Sequence, residues 1–105
     1  MTHWKYYDSI YTERYMKTPA ENPEGYRAGS CVESAGKLGP RLQIQHGTSD
    51  DNVHMQNTMA FVDGLVRGRR DFDFVPLPRQ KHGPREPAYR IYSNQRILEF
   101  FEKNL

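Results

Sequence analysis

Five side chains between positions 46 and 82 can carry a proton or bind a cation: His46, Asp50, Asp51, His54 and His82. The first four lie in one run, His46-Gly47-Thr48-Ser49-Asp50-Asp51-Asn52-Val53-His54, and His82 stands in a proline-rich stretch further on. Two chemistries suit such a set. A carboxylate beside an imidazole fixes the ring's tautomer and stabilises the imidazolium formed when the ring takes a serine's proton. Alternatively, neutral imidazoles and carboxylates together suit zinc or another divalent metal, whose bound water would act as nucleophile. A third reading needs no catalysis: any two loops can present an Asp and a His on a polar surface, and the chain is then a non-catalytic, self-associating piece whose exposed apolar surface binds its own copies or a partner.

The elements that must position these residues follow from the hydrophobic pattern. Residues 41–46, Arg-Leu-Gln-Ile-Gln-His, alternate and read as a strand, followed by the polar turn Gly47-Thr48-Ser49-Asp50. From Asn52 the apolar positions Met55, Met59, Val62, Leu65 and Val66 fall on one helical face, so a helix runs to about Arg67 with Gly68 as its stop. Phe72-Asp73-Phe74-Val75 alternates as a second strand. Residues 78–87, with three prolines and His82, form a loop. Ala88 to Asn104 is the last helix, with Ile91, Leu98, Phe101 and Leu105 on its buried side. Strand, helix, strand, helix implies parallel strands and a right-handed crossover. Ligand chemistry in such folds collects beyond the carboxyl ends of the strands, here His46–Asp51 and the loop around His82. Asp51 reads as an acid at a helix N-terminus, His54 as a partly exposed helix residue, and Arg67, Arg69 and Arg70 as a solvated helix end.

Upstream, Trp4, Tyr7, Tyr11 and Tyr15 recur at helical spacing within residues 4–17, and Pro19 follows. Asn22-Pro23-Glu24 opens a short helix toward Ser30. Another short piece covers 31–36, and Gly39-Pro40 marks a turn. The 105 residues make one unit, 1–40 a helical lead-in and 41–105 the β-α-β-α part. An aromatic share of 12% argues against disorder, and a net charge of +2 gives no reason to expect nucleic acid. The lone Cys31 excludes an intramolecular disulfide and a cysteine-rich zinc site. No apolar run is long enough to span a membrane and the start does not resemble a signal peptide, so the expected location is cytoplasmic if the chain is complete as given.

Several stretches closely resemble the dipeptidyl-peptidase branch of the prolyl oligopeptidase family. They are Tyr7-Asp8-Ser9-Ile10-Tyr11-Thr12-Glu13-Arg14-Tyr15-Met16, Asn22-Pro23-Glu24-Gly25-Tyr26, the run from His46 to His54, Arg79-Gln80-Lys81-His82-Gly83, and Asn94-Gln95-Arg96-Ile97-Leu98-Glu99-Phe100-Phe101. The resemblance covers nearly the whole chain, in order. It implies the last part of an α/β-hydrolase catalytic domain, with Asp50 as triad acid, His82 as triad base and Asn52 holding the substrate's backbone. It assigns Tyr11 no role, and it implies a peptide substrate and no cofactor.

That family's nucleophile sits in a Gly-x-Ser-x-Gly elbow, and none of Ser9, Ser30, Ser34, Ser49 and Ser93 has glycines so placed. The chain alone is therefore expected not to run the triad reaction unless the missing upstream half is supplied. Gln43 and Gln45 leave one strand face polar where a central parallel strand is apolar throughout. Pro76 and Pro78 confine the second strand to an edge. Two strands make a poor sheet, and open edges invite pairing. The expectation is a homodimer, by domain exchange or otherwise, that continues the sheet between protomers.

Overall fold

The computed structural model describes residues 1–39 and 41–105, so the expected turn at Gly39-Pro40 falls partly outside the described residues. A 3-10 turn at Trp4–Tyr6 leads into α1 (Ser9–Met16), α2 (Pro23–Ala28) and α3 (Cys31–Ser34), and a second 3-10 turn follows at Ala35–Lys37. Then come β1 (Gln43–Gly47), α4 (Met55–Arg67), β2 (Asp73–Leu77) and α5 (Pro87–Asn104). The two strands pair in parallel with Gln43 opposite Asp73 and Gly47 opposite Leu77. Both strands run past the end of the alternation seen in the sequence. Pro76 is accommodated because a two-stranded ribbon has only edge strands.

The aromatic stretch is not one helix. The Asp8 carboxylate accepts from the Ile10 amide and starts α1 there, which breaks the helical path between Tyr6 and Ser9. The rings still form a ladder: Trp4 stacks on Tyr11 at 6.2 Å, and Tyr11 meets Tyr15 at 5.1 Å. In α2 the Asn22 side chain caps the Gly25 amide and Pro23 occupies the first turn, as its sequence indicates.

Helix α4 packs on the Cys31–Lys37 segment by close backbone approach. A Cβ on Gly64 would lie 2.9 Å from the Ala35 Cβ, and one on Gly68 would lie 2.7 Å from the Gly36 Cα. Gly68 therefore serves packing rather than a left-handed cap; its φ is −79°, and the left-handed residue is Arg69 at φ 53°. The apolar face read from the sequence is only partly inward. Leu65 is fully buried, whereas Met59 and Val66 are exposed and the other deeply buried residues are Asn57 and Thr58. The reason is that Asn57 is a hydrogen-bonding post: its Oδ1 accepts from the Thr2 and His3 amides and its Nδ2 donates to the His54 carbonyl.

Helix α5 reverses the expectation more fully. Ile91, Leu98, Phe101 and Leu105, assigned to its buried side, are all exposed. Its inward stripe is Tyr89, Ser93, Arg96, Phe100 and Asn104. The polar face of β1 selects that stripe. Gln43 Nε2 donates to the Arg96 carbonyl at 3.1 Å, Gln45 Nε2 donates to the Ser93 carbonyl at 3.1 Å, and Ser93 Oγ donates to Gln45 Oε1. Half-buried amides are costly to leave unpaired, so they do not face an apolar helix side. The Cα radius of gyration is 15.2 Å, against about 13 Å for a compact domain of this size, so the chain is open and flat.

Candidate active site

The carboxyl ends of β1 and β2 lie side by side in the parallel register, so the loops that follow them are neighbours. They are fastened by the backbone: the Thr48 amide donates to the Leu77 carbonyl and the Ser49 amide to the Gln80 carbonyl, both at 3.0 Å. The Arg79 amide also donates to Thr48 Oγ1 at 3.0 Å. Gly47 makes this contact possible, since a Cβ there would lie 2.1 Å from the Lys81 carbonyl oxygen and 2.3 Å from that of Gln80. Within the second loop, buried Gln80 accepts from the Arg85 and Glu86 amides and donates to the Pro78 carbonyl and to Glu86 Oε1. Gln80 was missed in the sequence, where a glutamine amid prolines carries no periodic signal.

This clamp brings Asp50 and His82 together. His82 Nδ1 lies 2.9 Å from Asp50 Oδ2. An ionised carboxylate only accepts, so Nδ1 carries a proton, and in the neutral form of the ring Nε2 keeps its lone pair. The His82 side chain is 64% exposed and that of Asp50 only 5%, so the acid is sheltered and the imidazole faces outward. The other Asp50 oxygen accepts from the Asn52 and Val53 amides at 2.9 and 3.0 Å. Burial penalises the charged carboxyl, but the hydrogen bonds from His82, Val53 and Asn52 outweigh that penalty and hold it below its ordinary value. A hollow of about 280 Å³ beside the pair is lined by His46, Gly47, Asp50, Leu77, His82 and Ser93 among others.

Of the remaining sequence candidates only His46 stays beside the pair, its Nε2 3.6 Å from Asp50 Oδ2. His46 is buried in β1, with Nδ1 against Thr58 Oγ1 and Nε2 2.8 Å from the Val53 carbonyl. Asp51 is not in the first turn of a helix, because α4 begins only at Met55; it pairs instead with Lys81 at 3.6 Å across the two loops. His54 is exposed at the start of α4 and its backbone oxygen receives the Asn57 amide. Asn52 is exposed on a separate hollow shared with Tyr7, Asp8, Asp51 and His54. Among the described residues no three of His, Cys, Asp or Glu gather to hold a metal ion. The alternative metal set, His46, Asp50, Asp51, His54 and His82, is thus not assembled, and both nitrogens of His46 are already engaged. Arg67 pairs with Asp63, Arg70 donates to the Gly36 carbonyl, and both are exposed with Arg69.

Two adjacent parallel strands joined and followed by helices match part of an α/β-hydrolase domain. The chain belongs to the prolyl oligopeptidase family, whose model matches residues 1–105, and within it to the dipeptidyl-peptidase branch. It is 45% identical over 85 residues to a protein named probable dipeptidyl-aminopeptidase B of Neurospora crassa, covering 79% of this chain and 9% of that one. It is 48% identical over 84 residues to dipeptidyl-aminopeptidase B of Aspergillus niger, covering 78% and 9%. The crystal structure of Porphyromonas gingivalis dipeptidyl peptidase 4 superimposes with a TM-score of 0.94 at 39% identity, over 99% of this chain and 15% of that one. The chain therefore spans about a tenth of the length of the curated relatives it matches.

Proposed function

We propose that this chain is the acid–base portion of a serine peptidase that releases dipeptides. Asp50 holds His82 in the Nδ1–H tautomer, and His82 Nε2 takes the proton of a serine supplied from outside these 105 residues. Asn52 contacts the substrate backbone. The carrying observation is the 2.9 Å contact of His82 Nδ1 with a buried carboxylate, with Nε2 left unbonded among the described residues. In this arrangement the carboxylate stabilises the imidazolium as it forms, without itself taking the proton. Without a nucleophile the pair has nothing to activate, so the chain alone has no triad activity.

The test is complementation. The serine-bearing part of the Porphyromonas gingivalis enzyme, lacking the segment this chain matches, is combined with this chain and assayed on a chromogenic dipeptide substrate. Activity should appear only with both parts, and Asp50→Asn or His82→Ala should lower it on the order of 10³- to 10⁴-fold. A complex that forms yet is inactive, or activity indifferent to His82, would overturn the proposal.

We propose in addition that the isolated chain forms a homodimer. Supporting this are the outer edges of the two-stranded sheet and the exposed Ile91, Leu98 and Phe101 of α5. Light scattering after size exclusion should give twice the chain mass; a stable monomer at micromolar concentration refutes the dimer and leaves the acid–base reading intact.

A further inference from the structure

The buried ring of His46 is used by neither the strand ladder nor the acid–base pair, yet it touches the loop between them. Its Nε2 lies 2.8 Å from the Val53 carbonyl, which can only accept, so Nε2 carries the ring proton. Nδ1 is then an acceptor for the Thr58 hydroxyl. The same Nε2–H stands 3.6 Å from Asp50 Oδ2, too far for a hydrogen bond but close enough for its dipole to favour the negative charge there. Val53 is held at both of its peptide groups: its amide donates to Asp50 Oδ1 and its carbonyl receives His46.

We propose that His46 is the positioning residue for Asp50, an imidazole whose Nε2–H, held by the Val53 carbonyl, fixes the 50–53 turn and so aims Oδ2 at His82. The proposal rests on the reading of Asp50 and His82 as the acid–base couple. The geometry gives the two ring nitrogens different duties. Nδ1 anchors the ring to α4 through Thr58, and Nε2 does the positioning. A residue needed only to fill space would show no such division.

Nitrogen NMR of the imidazoles in the full chain reads both rings. In the native chain, His46 is expected as Nε2–H and His82 as Nδ1–H; finding His46 as Nδ1–H overturns the proposal with no variant needed. His46→Gln keeps a donor near the Nε2 position and should preserve His82 as Nδ1–H. His46→Asn reaches only the Nδ1 position, leaving no donor for the Val53 carbonyl, and should reduce the Nδ1–H form of His82 from the major to the minor species. If His46→Asn fails to fold, the Gln variant decides: a folded His46→Gln that has lost the His82 signature refutes the proposal. Asp50→Asn separates the two readings. Loss of the signature in Asp50→Asn but not in His46→Asn removes His46 alone, and no change in either removes the acid–base couple itself.

Discussion

Replacing Gly47 with alanine tests whether the site depends on the approach of two loops. The added Cβ would lie 2.1 Å from the Lys81 carbonyl oxygen, 2.3 Å from that of Gln80 and 2.7 Å from the Gln80 carbonyl carbon. All three are backbone atoms, so no rotamer change relieves the clash. Restoring even a 3.0 Å contact moves the histidine loop by about 0.9 Å. Transmitted to His82, that stretches the 2.9 Å contact with Asp50 to roughly 3.8 Å, beyond hydrogen-bonding range. Overpacking of this kind costs about 1–3 kcal/mol, which lowers the urea midpoint by roughly 1 M for a chain of this size. In the complementation assay, a displacement near 1 Å should cost on the order of 10²-fold in rate. The measurements are a urea titration and the His82 imidazole spectrum of Gly47→Ala. A midpoint within error of the native chain, together with an intact Nδ1–H signal on His82, would show that the loops do not depend on this contact.

Three further outcomes follow from particular contacts. Gln80→Ala strands the Arg85 and Glu86 amides and the Pro78 carbonyl, so it should destabilise the chain by about 1–3 kcal/mol and raise amide exchange across residues 79–86. On α5, Ser93→Val should cost about 1–3 kcal/mol because it leaves Gln45 Oε1 without its donor, whereas Leu98→Ser, measured at a concentration where the chain is monomeric, should change chemical stability by less than about 0.5 kcal/mol; the reverse order would put the apolar stripe inside. The Asp50 carboxyl ionises below its unfolded value near 3.8, so its stabilising effect is complete above that value and is lost as pH falls through the lower folded one. The stability gap between the native chain and Asp50→Asn should therefore narrow as urea titrations move from pH 5 to pH 3, and a gap that widens would contradict the assigned direction.

Much of the site was legible because it depends on short-range order. Alternation marked both strands, the strand–helix–strand order made them parallel, and the carboxyl-end rule then put the His46–Asp51 turn beside the loop around His82; the choice of Asp50 and His82 within those loops came from the family resemblance. Gly68 ended α4 as expected, although the cause was a backbone contact with Gly36 and not a left-handed turn. The inward faces of α4 and α5 were misjudged for one physical reason. Hydrophobic periodicity finds the face that would be buried in an apolar core, and here the neighbours are Gln43, Gln45 and the amides of Thr2 and His3. What an element buries depends on what it packs against, and that partner lies some 50 residues away in sequence. Gln80 was hidden for another reason: its three backbone partners lie within six residues, but a proline-rich loop has no periodicity that announces them.

The glutamine seam under α5 carries a thermal consequence. Burial of hydrocarbon loses strength on cooling, whereas amide-to-carbonyl bonds do not share that decline. Chilling should therefore loosen Leu65 and its surroundings before it frees the carboxy-terminal helix, and warming should strain the two attachments in the opposite order.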